Sequence, residues 1–124
     1  MSKSKPMFKV YGIPNCNTVK KTIKWLEDNQ VKFEFHNYRT DGLDTTKLEN
    51  WIEQRPLDIL VNKVSTSYRS LTDVDKERVF TRDGALALLP EKPTLIKRPV
   101  IEDSSGKIVA VGFNESEYNT LFKK

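Results

Sequence analysis

The chain has 124 residues, with 21 Lys+Arg against 17 Asp+Glu, one His and one Cys. That length suits one domain with its own apolar core, held without disulfides or metal. One cysteine excludes an internal disulfide, one histidine argues against a protein-only zinc site, and no apolar run approaches the roughly 18 residues of a membrane span.

Met1 to Pro6 is polar and basic, leads into no apolar signal segment and reads as a flexible tail, so a reducing cytoplasm is the expected compartment. Phe8 to Ile13 alternates weakly and predicts a short strand that Pro14 ends. Asn15 or Asn17 is placed to cap the next helix, Asn17 to about Asn29, with Val19, Ile23 and Leu26 as its apolar stripe. Val31 to His36 predicts a second strand, and Asp41-Gly42 is a turn signal. Asp44-Thr45-Thr46-Lys47 opens another helix, with Leu48, Trp51 and Ile52 on one face and Pro56 beyond its end. Leu57 to Val61 is a short apolar stretch of either type, and Ser65-Thr66-Ser67 reads as a loop. Two short helices are expected over Asp73 to Phe80 and Gly84 to Leu89. Thr94-Leu95-Ile96 reads as a strand meeting Arg98-Pro99; Val100 and Ile101 continue it, Ser104 to Lys107 turns, and Ile108 to Val111 returns. Glu115 to Phe122 predicts a last helix capped by Asn114.

A βαβ half, a helical stretch and a ββα half make an α/β chain of thioredoxin-like arrangement, with a mixed four-stranded sheet. We expect one domain over residues 7–124, with a helical insertion at about 44–90. Parallel pairing in the βαβ half brings the loop after the first strand towards the loop before the hairpin. Cys16 is thereby expected near Arg98 and Pro99.

Cys16 lies at a strand-to-helix junction, where unpaired N–H groups and the helix dipole stabilise a thiolate. A buried small hydrophobe is the plainer reading of the same residue. Val19 stands three positions on, so an internal dithiol cycle is excluded and any redox turnover needs an outside thiol. Arg98 is either a thiolate-stabilising, oxyanion-gripping cation or a surface arginine. The Ser65–Arg69 run offers hydroxyls and a guanidinium for an anion, or else a helix cap. Lys20, with Lys21 and Lys24, is the wet face of a helix or an anion contact beside Cys16. The interspersed charge, net +4, permits nucleic acid without demanding it. His36 is read as structural, and Trp25 and Trp51 as packing residues.

Tyr11-Gly12-Ile13-Pro14-Asn15-Cys16-Asn17-Thr18-Val19-Lys20-Lys21 resembles the arsenate-reductase-like family of arsenate reductases, YffB-type proteins and Spx regulators. The likeness continues at Phe35 to Leu43, Leu60 to Lys63, Ser65 to Arg69, Leu95 to Val100 and Val111 to Phe113, with the YffB-type branch fitting best. The resemblance implies a cis Pro99, a Cys16 nucleophile, and an Arg98 that lowers the thiol pKa and holds an oxyanion. The family's reductases carry further arginines where this chain has Asn62 and Val111-Gly112-Phe113. That leaves a pocket weak for a doubly charged oxyanion such as arsenate.

The expected function is a glutathione-dependent monothiol oxidoreductase working through Cys16. Arg98 assists the chemistry, and Asn15, Thr18, Lys20, Thr66, Ser67, Arg69 and Pro99 line the glutathione or substrate site. Glutathione is expected as co-substrate, glutathione or glutaredoxin as partner, and no metal or bound cofactor; the default assembly is a monomer. The alternative is a Spx-like non-catalytic regulator that binds RNA polymerase.

Overall fold

A computed structural model of the chain describes residues 8–14 and 16–122. The expected tail, Met1 to Pro6, and the site residue Asn15 lie outside the described residues. In chain order the elements are β1 (Phe8–Gly12), α1 (Asn17–Asp28), β2 (Phe33–Asn37), α2 (Tyr38–Asp41), α3 (Thr45–Gln54), α4 (Leu57–Leu60) and α5 (Thr66–Arg69). There follow α6 (Asp73–Arg78), α7 (Arg82–Leu88), a 3-10 turn (Pro93–Leu95), β3 (Val100–Glu102), β4 (Ile108–Val111) and α8 (Glu115–Phe122). They form two compact units, Met1–Tyr38 with Arg98–Lys124, and Arg39–Lys97.

The first unit holds the sheet, in the order β2-β1-β3-β4. β1 runs parallel to β2 and antiparallel to β3, and β4 pairs antiparallel with β3. This is the mixed, thioredoxin-like sheet implied by the order of elements. Val10 and Ile101 are cross-strand partners and point to one face, where Trp25 and Leu26 of α1 and Tyr118 of α8 bury them. Each such side chain contributes about 1.5–3 kcal/mol when fully buried. Trp25 and Tyr118 meet edge to face, with ring centroids 5.3 Å apart. By strand alternation Tyr11, Val100 and Glu102 lie on the opposite face.

The second unit is helical. Asp44 caps α3 by accepting from the Lys47 N–H at 2.8 Å, and Leu48 and Trp51 are fully buried. α3 and α6 each pack against α7, and α5 packs against the 3-10 turn.

Several local expectations are corrected. Thr94-Leu95-Ile96 is not a strand: Pro93 starts a 3-10 turn closed by the Leu95 N–H to Lys92 carbonyl bond, and Ile96 makes only an isolated bridge to Val61. Ser65-Thr66-Ser67 is not a loop. Ser65 is the N-cap of α5, its hydroxyl accepting from the Tyr68 N–H. Leu57 to Leu60 is helical, and α7 begins at Arg82 because Thr81 caps it. β2 begins at Phe33, since the Val31 N–H is held by the Leu26 carbonyl. No described helix is long and apolar enough to cross a membrane.

Candidate active site

The parallel β1–β2 pair and the antiparallel β3 bring three chain segments to one end of the sheet. β1 ends at Gly12 and leads to Cys16, β2 ends at Asn37 and leads to Tyr38, and β3 begins just after Arg98-Pro99. Residues distant in sequence are therefore neighbours by topology.

Cys16, half-buried, is itself the N-cap residue of α1, with φ −110° and ψ 126°. Asn17, read as a candidate cap, is instead the first helical residue. The Cys16 carbonyl accepts the first helical bond, from the Lys20 N–H at 2.9 Å. The neutral thiol makes no side-chain capping bond of regular geometry, being a weak acceptor, whereas a thiolate is a strong one. Burial opposes ionisation of Cys16. The Val19 N–H, a hydrogen bond from the Arg98 side chain, the Thr18 N–H and the Arg98 charge together outweigh it and hold the thiol below its ordinary value.

The Arg98–Pro99 peptide is cis, as the resemblance implied, and Pro99 is buried. A polar chain links this peptide to the start of α1. The Pro99 carbonyl accepts from the Gly112 N–H at 2.8 Å, and the Gly112 carbonyl accepts from the Tyr118 hydroxyl at 2.6 Å. The Thr22 hydroxyl lies 3.5 Å from that of Tyr118 and donates to the Thr18 carbonyl at 3.0 Å. Gly112 has φ +83°, a backbone state that a side chain would strain.

Gly12 sets the depth at which α1 starts. A Cβ there would stand 2.8 Å from Cγ2 of Val19, a β-branched side chain that cannot turn away freely. Gly12→Ala is expected to cost about 1–3 kcal/mol, the usual range for overpacking. It should also move the Val19 N–H off the sulfur and shift the pH profile of Cys16 alkylation upward. Denaturant melts and alkylation rates on one preparation check both effects.

Of the expected site residues, Cys16, Thr18, Arg98 and Pro99 come together in the first unit. Lys20 is exposed on α1. Thr66, Ser67 and Arg69 lie together on α5 in the second unit. There the Ser67 hydroxyl is hydrogen-bonded to that of Thr94, while Thr66 and Arg69 are exposed. Asn62 accepts through Oδ1 from the Val64 N–H at 3.2 Å. His36 packs on the Tyr11 ring, centroids 4.7 Å apart, which suits the structural role read for it. The sequence reading did not single out the Val19 N–H or the Tyr11, Tyr38 and Glu102 side chains. The first was legible in principle, because a thiol at the N-cap faces the N–H groups two and three residues on. Among the described residues no group of three or more His, Cys, Asp or Glu is placed to hold a metal ion.

Comparison with known proteins places these residues in a lineage. Residues 11–121 match the model of the ArsC family. An uncharacterized protein of Haemophilus influenzae is 47% identical over 116 residues, covering 94% of this chain and 99% of its own. The global transcriptional regulator Spx 1 of Lactococcus lactis is 34% identical over 125 residues, covering 95% and 91%. A solved structure of a YFFB protein superposes with a TM-score of 0.83 at 32% identity, covering 92% of this chain and 97% of that one.

Proposed function

From its membership of the ArsC family, to which this chain belongs, we propose that the protein is a glutathione-dependent monothiol oxidoreductase with Cys16 as nucleophile. The observation that carries the reading is the Cys16 thiol at the α1 N-cap, hydrogen-bonded by Arg98 and held below its ordinary pKa. The Cys16 thiolate attacks one sulfur of a glutathione mixed disulfide, forms a Cys16–glutathione disulfide and releases the substrate thiolate. A glutathione thiolate then attacks the glutathione sulfur of that disulfide and frees Cys16 as the thiolate. The proton lost by glutathione ends on the released thiol. The net change is reduction of one mixed disulfide and formation of one glutathione disulfide. Arg98 and the Val19 and Thr18 N–H groups stabilise the negative charge that returns to Cys16 at each displacement. Thr18, Lys20, Asn15 and Pro99 are the proposed contacts for glutathione, and Thr66, Ser67 and Arg69 are a proposed carboxylate-binding group.

The chemistry favours disulfides over a dianionic oxyanion. Asn62 and Val111 to Phe113 stand where the resemblance expects cations, which leaves Arg98 with little help against a double charge.

Reactivity requires the thiolate, which is present above the Cys16 pKa and lost below it. A lowered pKa extends the reactive window towards acid, and loss of Arg98 should close it again. Arg98→Ala is expected to move the midpoint of the alkylation-rate profile upward and to lower the rate several-fold on its acid side. Intact-mass measurement should show a single glutathione adduct on the wild type that added glutathione removes. An ordinary wild-type midpoint with no adduct would overturn the proposal.

The similarity to Spx 1 favours a second reading, a non-catalytic regulator docked on RNA polymerase. Retention by the polymerase α-subunit domain together with no thiol turnover would establish it over the first. With Val19 three residues after Cys16, such a regulator would work without an internal dithiol switch.

A further inference from the structure

Thr22 is fully buried on the face of α1 that otherwise holds Val19, Trp25 and Leu26. A valine of nearly the same shape would fill that place with no hydroxyl to satisfy. The chemistry assigned to Cys16 does not use it. The hydroxyl has two oxygen neighbours, the Thr18 carbonyl at 3.0 Å and the Tyr118 hydroxyl at 3.5 Å. Tyr118 spends its one proton on the Gly112 carbonyl, in a bond of 2.6 Å. The Thr22 proton goes to the Thr18 carbonyl, the nearer acceptor. Bonding back to the carbonyl four residues earlier is common for threonine in a helix, and on its own it only satisfies the hydroxyl.

Here the consequence lies in which peptide the hydroxyl meets. The Thr18 carbonyl and the Val19 N–H are the two ends of one planar unit. Cys16 is the N-cap of α1, so Thr18 and Val19 are its second and third helical residues, whose N–H groups face the N-cap side chain. Burial opposes the Cys16 thiolate, and of the groups that favour it the Val19 N–H acts most strongly. The Thr18 carbonyl has two lone pairs, one for the helical ladder and one for the Thr22 hydroxyl. A second donor at that end polarises the peptide, strengthens the N–H at the other end and holds the plane against rotation.

We propose that Thr22 is a positioning residue: its hydroxyl, bonded to the Thr18 carbonyl, orients and polarises the Thr18–Val19 peptide so that the Val19 N–H is held on the Cys16 sulfur. The inference rests on the Cys16 reading above and adds the group that sets its strongest N–H donor. The titratable groups that face this corner are Cys16, Arg98 from the segment before β3, and Tyr118 of α8. Burial pushes the Tyr118 phenol up to about 12, with the Thr22 hydroxyl pulling it down and Glu117 pushing it up, so it keeps its proton for Gly112 throughout the working range.

The test is the pH profile of Cys16 alkylation in full-chain variants at position 22. Thr22→Val keeps the β-branched shape and removes the hydroxyl. Its midpoint should rise, and its rate on the acid side should fall about two- to threefold. The plateau above the midpoint should hold or rise, since a less stabilised thiolate is at least as nucleophilic. Thr22→Ser keeps the hydroxyl and should follow the wild type. Thr22→Ala differs from serine by the hydroxyl alone and should follow valine; the serine–alanine pair decides the matter if Thr22→Val does not fold. The urea midpoint of Thr22→Val should stay at or above that of Thr22→Ser, which lacks a buried methyl, so stability and reactivity separate. The proposal is overturned by an unmoved or lowered alkylation midpoint in Thr22→Val, by a serine variant that behaves like alanine, by an equal loss of rate at every pH, or by a rise that tracks lost stability. An ordinary wild-type midpoint sinks the Cys16 reading itself, whereas a depressed one untouched by Thr22→Val sinks only the role of Thr22.

Discussion

Cys16→Ser is expected to remove thiol turnover by at least about three orders of magnitude while leaving the fold intact. The two halves of that expectation have separate causes. A serine hydroxyl stays protonated throughout the working pH range, and a single arginine with two N–H groups cannot ionise it. Cys16 is also the one thiol of the chain, so no second residue can take over the displacement. At acid pH the fold gains, because position 16 is an N-cap with extended backbone and the neutral thiol there makes no regular side-chain capping bond; above the Cys16 pKa the thiolate already accepts from the Val19 and Thr18 N–H groups, and the gain is lost. Serine is among the preferred N-cap residues, worth about 0.5–2 kcal/mol over a side chain that cannot cap. Intact mass after exposure to glutathione disulfide should show no adduct, and the denaturation midpoint measured at acid pH, where Cys16 is the neutral thiol, should hold or rise. Residual turnover in this variant would overturn the mechanism; loss of turnover with a collapsed midpoint would trace the defect to folding.

The sheet was legible in the sequence because its strands follow simple rules. Alternation marked β1 and the hairpin, helical spacing marked α1, and the βαβ–ββα order implied that the ends carrying Cys16 and Arg98 converge. The irregular parts were harder for reasons that can be named. Ser65, Thr66 and Ser67 have hydroxyls that compete for backbone groups, so a run of them reads as loop even where the first caps a helix. Thr94-Leu95-Ile96 has strand-forming residues, but Pro93 in front of them sets a φ suited to a helical turn. Glu102 stands between the Val100-Ile101 run and the turn that begins at Ser104. Its burial depends on Tyr11, which is 91 residues away, and nothing local announces that. Arg98 was legible as a candidate through the topology; the groups around it were not.

Gly84→Ala should be the most damaging conservative change in the second unit, and its sign is opposite to what helix propensity suggests. Gly84 is the third residue of α7, where alanine would ordinarily gain about 1 kcal/mol over glycine. Here a Cβ would stand 1.9 Å from the Arg78 carbonyl oxygen and 2.6 Å from its carbon. That oxygen cannot swing aside as a side chain would. It is held by the Thr81 N–H at 2.9 Å and the Thr81 hydroxyl at 2.7 Å. The same hydroxyl caps α7 by accepting from the Gly84 N–H at 3.0 Å, and it too would be crowded, at 2.9 Å. Making room means opening the α6–α7 junction, which loses the cap and both bonds to Arg78 together. Overpacking at about 1–3 kcal/mol and a lost cap at about 1 kcal/mol place the cost near 2–4 kcal/mol, against the 5–15 kcal/mol total of an ordinary domain. Urea unfolding followed by circular dichroism should show a markedly lower midpoint. A midpoint equal to or above that of the wild type would mean that propensity wins at this position, and that the close approach of Gly84 to Arg78 carries no weight in holding α6 on α7.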